Sequence, residues 1–166
     1  TPAGRVNGLV LNSTGQFLYA TQAGGANTVA SFTVGTDGSL TTLGAPVAAG
    51  VDPFAVSIAA TEKLLYVTNF TAQTISSFLI GTDGTLTVNG PAVPTTDTPR
   101  SIVIDPTSQF VYVVNEGTDN ISSLTVGTDG RLTANGPDVA TGDFPAHIVM
   151  HPNGQFLYVS NFLSNT

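Results

Sequence analysis

Two charged residues stand where the other repeats of this chain carry uncharged ones. These residues are Arg100 and Glu116, and the aligned residues are Phe54 and Ala146 for the first position and Phe70 and Phe162 for the second. An arginine binds a carboxylate or a developing oxyanion through its planar fork of N–H donors, and a glutamate with a raised pKa acts as a general acid or base. The pair would therefore suit a small carboxylate ligand or one that develops an oxyanion. An ordinary salt bridge, worth under about 1 kcal/mol, is the structural alternative.

His147 is the third candidate for chemistry, as a neutral base or a ligand, although a structural role is also open. It follows Pro145 by two residues, at the start of a predicted strand. His151 occupies the position of Asp105 in another repeat, where a role in a turn is expected. We predict no metal site, because these histidines and the scattered aspartates form no closed ligand set. No cofactor is predicted either, since no glycine-rich loop opens a helix.

Composition excludes several classes of partner. Charged residues make up 9% of the chain, against a usual quarter, and the net charge is -7 with only 4 lysines and arginines. Such a chain cannot neutralise a row of phosphates, so nucleic acid is excluded as a partner. No apolar run approaches the roughly 20 residues of a spanning helix, so membrane insertion is not expected.

Low lysine with abundant threonine and asparagine predicts an extracytoplasmic protein, secreted or at the cell surface. The missing initiator Met predicts a processed product or an excerpt.

A repeat of 46 to 47 residues runs through the whole sequence. The phrase "LLYVTNF" at 64–70 recurs three times, and its tyrosines are Tyr19, Tyr66, Tyr112 and Tyr158. The turn "GTDG" keeps the same step, at 35–38, 81–84 and 127–130. A period of this length is typical of propellers, solenoids and other repeat architectures.

Each repeat is predicted to hold four short strands. In the third repeat these are strand A at 101–105, strand B at 110–115, strand C at 121–127 and strand D within 131–139. Asp129-Gly130 between strands C and D is a hairpin signal. Both faces of strand B are apolar, so each sheet must be covered on both sides. The asparagine that ends strand B is expected to serve the turn, with its side chain bonding nearby backbone groups.

The predicted fold class is therefore all-β, a β-propeller of four-stranded antiparallel blades. We expect one partial propeller over residues 1–166, with about three and a half of the blades of a partial or assembled seven-bladed ring. The predicted blades are residues 7–52, 53–98 and 99–144, with residues 145–166 supplying strands A and B of a fourth. Three and a half blades leave an open edge. The expected partners are therefore further blades of the same chain or other copies of it.

Strand A would run away from Arg100 and strand B would return to Glu116. The two side chains should therefore lie at the same end of an antiparallel hairpin. If strand A is the innermost strand, that end lies near the propeller axis.

Three sequence features resemble the YVTN-repeat, lactonase-like family of β-propellers. They are "YVTN" at 66–69, the frame from Pro99 to Pro106 and the "DG-x-LT" turns. That family includes phosphogluconolactonase-type and muconate-cyclising enzymes, and many surface and secreted repeat proteins of no known activity. The resemblance implies a ring of seven blades, with "PR" opening strand A and "NE" closing strand B as sources of an active-site Arg and Glu. Arg100 and Glu116 match those positions. The resemblance also implies a histidine on the preceding blade, which "VDPFAVS" lacks, and a second arginine on a later one.

Three functions are compatible with the sequence. The first is a secreted or cell-surface propeller segment that binds a surface partner or acts as a scaffold, which the regular blades and few ionisable groups favour. The second is a lactonase or cycloisomerase that uses Arg100 and Glu116, with His147 as a further candidate. The third is a structural subunit that assembles into a ring or fibre.

Overall fold

The computed structural model describes residues 4–164, and this part of the chain forms seventeen β-strands and no helix. The strands are β1 Arg5–Leu11, β2 Phe17–Ala23, β3 Thr28–Val34, β4 Leu40–Thr42, β5 Val47–Ala48, β6 Pro53–Ile58, β7 Leu64–Asn69, β8 Thr74–Ile80, β9 Leu86–Val88, β10 Val93–Pro94, β11 Pro99–Ile104, β12 Phe110–Asn115, β13 Asn120–Val126, β14 Leu132–Ala134, β15 Val139–Ala140, β16 Pro145–Met150 and β17 Leu157–Asn161.

The strands form three antiparallel sheets of the same design and the beginning of a fourth. In the first sheet, β1, β2, β3 and β4 pair in chain order. The short β5 pairs with the other end of β3, along the same edge as β4. The predicted strand D is thus divided into two pieces, here β4 and β5. The second and third sheets repeat this pairing, and β16 and β17 form a two-stranded sheet. The first strand begins at Arg5, two residues before the boundary expected for the first blade.

The four sheets lie side by side with strand A innermost. β1 contacts β6, β6 contacts β11 and β11 contacts β16, so the first strands of successive sheets form a continuous inner row. This arrangement is that of propeller blades around an axis. The predicted all-β propeller is confirmed.

Burial of both sheet faces is also confirmed. In the second sheet, Leu65 and Val67 pack into a cluster with Tyr19 of the first sheet. Tyr66, between them in sequence, points to the other face and packs with Ile102 of the third sheet. Alternate residues of one strand therefore enter two different cores, because successive side chains of a strand point to opposite faces.

The repeated tyrosine joins each blade to the next. The Tyr19 hydroxyl donates a hydrogen bond to the carbonyl oxygen of Gly84, at 2.9 Å, and the Tyr66 hydroxyl donates to that of Gly130, at 2.8 Å. Both glycines end a "GTDG" turn of the following blade. Tyr158, on the last two-stranded sheet that the structure describes, is 57% exposed.

The asparagine that ends strand B has a predicted backbone partner and two side-chain partners that were not predicted. The Asn69 side chain is buried and donates to the hydroxyls of Thr74 and Ser76 on strand C, while its oxygen accepts the N–H of Gly50 at 3.0 Å. The bond to Gly50 is the expected bond to a nearby backbone group, and the two strand C hydroxyls are further partners that the sequence did not predict. Asn115 repeats only the donor half of this pattern, since its amide donates to Oδ1 of Asn120 and to the hydroxyl of Ser122, while its own Oδ1 has no partner among the described residues.

Gly84→Ala is predicted to destabilise the protein more than Gly38→Ala. Both glycines end a "GTDG" turn with φ of +81°, but a methyl at Gly84 would overlap the Phe17 ring, whereas one at Gly38 meets nothing within 4 Å. Positive φ alone costs alanine about 1 kcal/mol, and the overlap adds about 1–3 kcal/mol. Urea unfolding of the two variants measures the difference. Equal losses would show that the turn does not pack against the preceding blade.

Stability is predicted to fall as the pH rises above 10. Burial raises the pKa of both Tyr19 and Tyr66 from 10.0 to about 12, and the charges of Asp83 and Asp129 respectively add to this effect. The unfolded chain thus loses these protons near pH 10 while the folded chain keeps them, so their stabilisation is complete below pH 10 and is lost between about 10 and 12. Urea unfolding across this interval measures the loss. A Tyr19→Phe, Tyr66→Phe double variant should lose less, and an equal loss would contradict the assignment.

Candidate active site

A bulge in each inner strand shapes the upper rim, defined here as the end where strands A begin and strands B end. In the third sheet, Pro99 pairs with Asn115 and Ser101 pairs with Val114, which leaves Arg100 as one extra residue. A bulged residue lies outside the ladder, and the bulge redirects its side chain. The other three sheets carry a register shift at the same point. In the second sheet the Thr68 hydroxyl, from "YVTN", accepts the N–H of Ala55 inside the bulge.

Arg100 and Glu116 form an ion pair at this rim. Nη1 of Arg100 donates to Oε2 of Glu116, and the side chains are 30% and 11% exposed. Among the residues that the structure describes, no hydrogen bond reaches Oε1 of Glu116 or the other guanidinium nitrogens. The predicted proximity of the two side chains is thus observed. The contact uses one oxygen and one nitrogen, and the remaining acceptor and donors are available to a ligand.

Two phenyl rings flank the guanidinium and two more pack against these, and we call the four rings the aromatic row. Cζ of Arg100 lies 5.6 Å from the ring centroids of both Phe54 and Phe144, within the range of cation–π attraction. Phe54 in turn lies 5.7 Å from Phe70, and Phe144 lies 5.9 Å from Phe162. Phe54 lies on β6, Phe70 follows β7, Phe144 precedes β16 and Phe162 follows β17. Three sheets therefore build one surface around Arg100.

The aromatic row was not predicted from the sequence. In the sequence, Phe54, Phe70 and Phe162 are distinguished only as uncharged residues that align with Arg100 or Glu116. The available signal for the aromatic row was that Phe70 follows "YVTN" and Phe162 follows "YVSN". It was insufficient, because the contacts of Phe54 and Phe144 with Arg100 join different sheets.

His147 does not join the pair. It is exposed on β16, where it follows the bulge and pairs with Ser160. Within residues 4–164, no hydrogen bond, ion pair or ring contact links it to Arg100 or Glu116. A catalytic role for His147 remains a prediction without a contact that supports it. His151 acts in its turn as expected, with Nδ1 accepting the N–H of Asn153 at 3.2 Å.

The other charged groups of the chain serve local structure. Arg5 pairs with Asp52 at 3.0 Å, and Arg131 lies 3.6 Å from Asp129. In the "GTDG" turn, Asp83 accepts the N–H and the hydroxyl of Thr85, and the side-chain bond is the main reason why its pKa is lowered. Over the described part of the chain, no three histidine, aspartate or glutamate side chains converge as a metal site would require. The same part contains no helix long and apolar enough to cross a membrane.

A double-mutant cycle on Arg100→Met and Glu116→Gln is predicted to give a coupling energy of about 1 kcal/mol. Glu116 is only 11% exposed, so the coupling should persist in part at about 0.5 M salt, where exposed pairs are screened. Urea unfolding of the four proteins measures it. The same cycle on Arg131 and Asp129, which are 58% and 61% exposed, is the control and should give a value near zero. Equal couplings would show that the rim pair is an ordinary surface pair.

Comparison with known proteins adds to this geometry. A family model described as "Lactonase, 7-bladed beta-propeller" matches residues 3–166. Among solved structures, a candidate 6-phosphogluconolactonase from Bacteroides uniformis superposes with a TM-score of 0.87 at 22% identity, over 98% of this chain and 49% of that one. A candidate 6-phosphogluconolactonase from Bacteroides fragilis gives 0.81 at 27% identity, over 89% and 42%. The periplasmic gluconolactonase of Pseudomonas aeruginosa gives 0.80 at 19% identity, over 95% and 47%.

These similarities show the fold. The chain spans about half the length of the three structures, at 49%, 42% and 47% of them. No curated protein gives a significant match to the sequence.

Proposed function

Because this chain belongs to the lactonase family of seven-bladed β-propellers, we propose that it supplies part of the active site of an enzyme that opens a lactone ring. Arg100 and Glu116 are the proposed reacting pair. The observation that carries the proposal is their ion pair at the upper rim, with one carboxylate oxygen and several N–H donors still available. The names of the neighbouring structures, two candidate 6-phosphogluconolactonases and a gluconolactonase, support the same reaction class.

The proposed roles follow from the chemistry of the two groups. Water attacks the lactone carbonyl carbon and gives a proton to Oε1 of Glu116, acting as a general base. The oxyanion that forms on the carbonyl oxygen accepts N–H bonds from Arg100. The ring C–O bond then breaks, and the proton on Glu116 passes to the ring oxygen. The products of these steps are a carboxylic acid and a hydroxyl group on one open chain.

The family match supports this proposal better than the scaffold function favoured by composition alone. Few ionisable groups are needed for the reaction, since one Arg and one Glu supply both the oxyanion donor and the base. A secreted or cell-surface location and assembly with other copies stay predictions. A binding or scaffold role is the alternative outcome of the experiment below.

Arg100→Ala and Glu116→Gln are each predicted to lower kcat/KM for simple δ- and γ-lactones by about 100-fold or more, since each removes a group that acts in the transition state. The assay is proton release by the full-length protein. Arg5→Ala is the matched control, because it breaks the Arg5–Asp52 ion pair and leaves the aromatic row intact. It should change kcat/KM by less than about twofold. Folding of each variant is checked by circular dichroism.

Absence of turnover for every simple lactone, or unchanged turnover in both variants, would overturn the lactonase proposal and favour the scaffold function.

A further inference from the structure

We propose that this protein binds a small organic anion with an apolar body in a groove at its lower rim. The lower rim is the end opposite Arg100 and Glu116, where the A–B turns and the "GTDG" turns lie. The groove, which we call the second groove, lies between the second and third sheets and has a volume of about 540 Å³. All five strands of each of these sheets are described. The site is at the other end of the blades from the proposed active site and does not depend on the lactonase proposal.

The repeat supplies an internal comparison for this groove. The first groove, between the first and second sheets, is built in the same way, from the A–B turns of both sheets and the "GTDG" turn of the later one, but its volume is only about 230 Å³. Sites for small molecules measure about 300–1,000 Å³. The second groove is therefore large enough for such a ligand, and the first groove is not.

Three aligned positions explain the larger volume, because each carries a smaller side chain in the second groove. These pairs, with the residue of the first groove given first, are Phe17 and Leu64, Glu62 and Ser108, and Ile80 and Val126. The backbone of the walls is alike, since the two "GTDG" turns end at Gly84 and Gly130 with φ of +81° and +77°. The second groove is open because of its side chains.

The two grooves also differ in charge. Lys63 lines the second groove where Gln16 lines the first, and Ser108 stands where the first groove has the carboxylate of Glu62. Over the residues that the structure describes, Lys63 takes part in no ion pair. A carboxylate in the second groove would thus be attracted by Lys63, whereas one in the first groove would be repelled by Glu62.

Asp129 is the acidic residue that lines the second groove, and its own turn holds it. Its Oδ1 accepts the N–H of Arg131 at 3.0 Å, and its Oδ2 lies 3.6 Å from Nε of the same arginine. The charge of Asp129 is therefore balanced locally. The ammonium group of Lys63 remains to attract an anion.

Ser108 adds a positioned hydrogen-bond donor. The residue is only 9% exposed, and its Oγ accepts the N–H of Ala60 at 2.9 Å, which holds the hydroxyl in place. A serine hydroxyl can donate one hydrogen bond in addition to accepting. Within the described chain, no acceptor for this proton is recorded. A ligand carboxylate can accept it.

The rest of the lining sets the second requirement on the ligand, which is an apolar body. Leu64, Leu79 and Val126 line the same groove. A carboxylate would accept hydrogen bonds from Lys63 and Ser108 while its apolar part covers these three side chains. Inorganic phosphate would meet a single cation and would leave the apolar lining in water. An organic carboxylate with an aryl or alkyl body therefore fits the groove better.

The experiment uses 4-phenylbutyrate as the probe and its uncharged amide, 4-phenylbutanamide, as the comparison ligand. Each is titrated into the full-length protein labelled with ¹⁵N, and the backbone amide signals are followed by NMR. We expect saturable shifts at Thr128 and Gly130, with a Kd for the acid of about a few millimolar or lower. The amide should bind about threefold more weakly or worse, since it lacks the charge.

Two variants separate charge from volume. Lys63→Gln should raise the Kd of 4-phenylbutyrate about threefold to fivefold and leave that of the amide unchanged. The double variant Leu64→Phe, Val126→Ile copies the side chains of the first groove, which the same backbone already accommodates. It should raise the Kd of both ligands about tenfold or more, because it fills the groove.

Arg5→Gln is the matched control for net charge. It removes one positive charge, as Lys63→Gln does, but at the upper rim, where Arg5 pairs with Asp52. It should leave the Kd of both ligands unchanged. An increase equal to that of Lys63→Gln would show that only the net charge of the protein matters, and it would overturn the role of Lys63.

The remaining outcomes are equally decisive. Equal Kd values for the acid and the amide would overturn the preference for an anion. Shifts confined to Glu116 and Gly117 would place the ligand at the upper rim and overturn the groove as its site, and so would the absence of any saturable shift. The lactonase proposal is tested by turnover, so these results leave it unchanged.

Discussion

Burial of both faces of every sheet is the constraint on which the rest of this structure depends. Leu65 and Val67 enter the core toward the first sheet while Tyr66 enters the core toward the third, so no blade can be stable in isolation. The sheets must stand side by side, and their first strands then form the inner row. On the first and last sheets that the structure describes, one face has no neighbouring sheet. Apolar side chains such as Val6 and Val149 stay exposed there. The ends of the strands are thereby gathered at a common rim.

Side chains at this rim can differ between blades because these positions lie outside the cores that join neighbouring sheets. The extra residue of each inner-strand bulge pairs with nothing, and the residue after strand B lies outside the ladder. The third sheet places Arg100 and Glu116 at these two positions, whereas the second places Phe54 and Phe70 there. One backbone design thus presents an ion pair on one blade and phenyl rings on its neighbour. Proximity of the blades combines them into one surface.

Particular residues show how far the sequence could be interpreted. The period of the tyrosines and the "GTDG" turns predicted the sheets, because local turn chemistry and alternation act within a single repeat. The hairpin geometry also predicted that Arg100 and Glu116 would meet. The bond of Asn69 to a nearby backbone N–H was predicted, but its two hydroxyl partners were not, since they depend on the pairing of strands B and C. His147 was a candidate from its place in the repeat, but its side chain is exposed and touches neither member of the pair.

The sequence by itself determined the strands, their order, the two-sided cores and the identity of the two charged groups at the rim. Each of these follows from residues that are neighbours in the chain or that repeat with a fixed period. Only the tertiary structure decided that the phenyl rings of Phe54 and Phe144 both lie beside the guanidinium of Arg100, and that a tyrosine of one blade donates to the turn of the next. These contacts join different blades, and their geometry depends on the angle and spacing between sheets. Packing of whole side-chain layers sets that angle, and no local pattern in the chain records it.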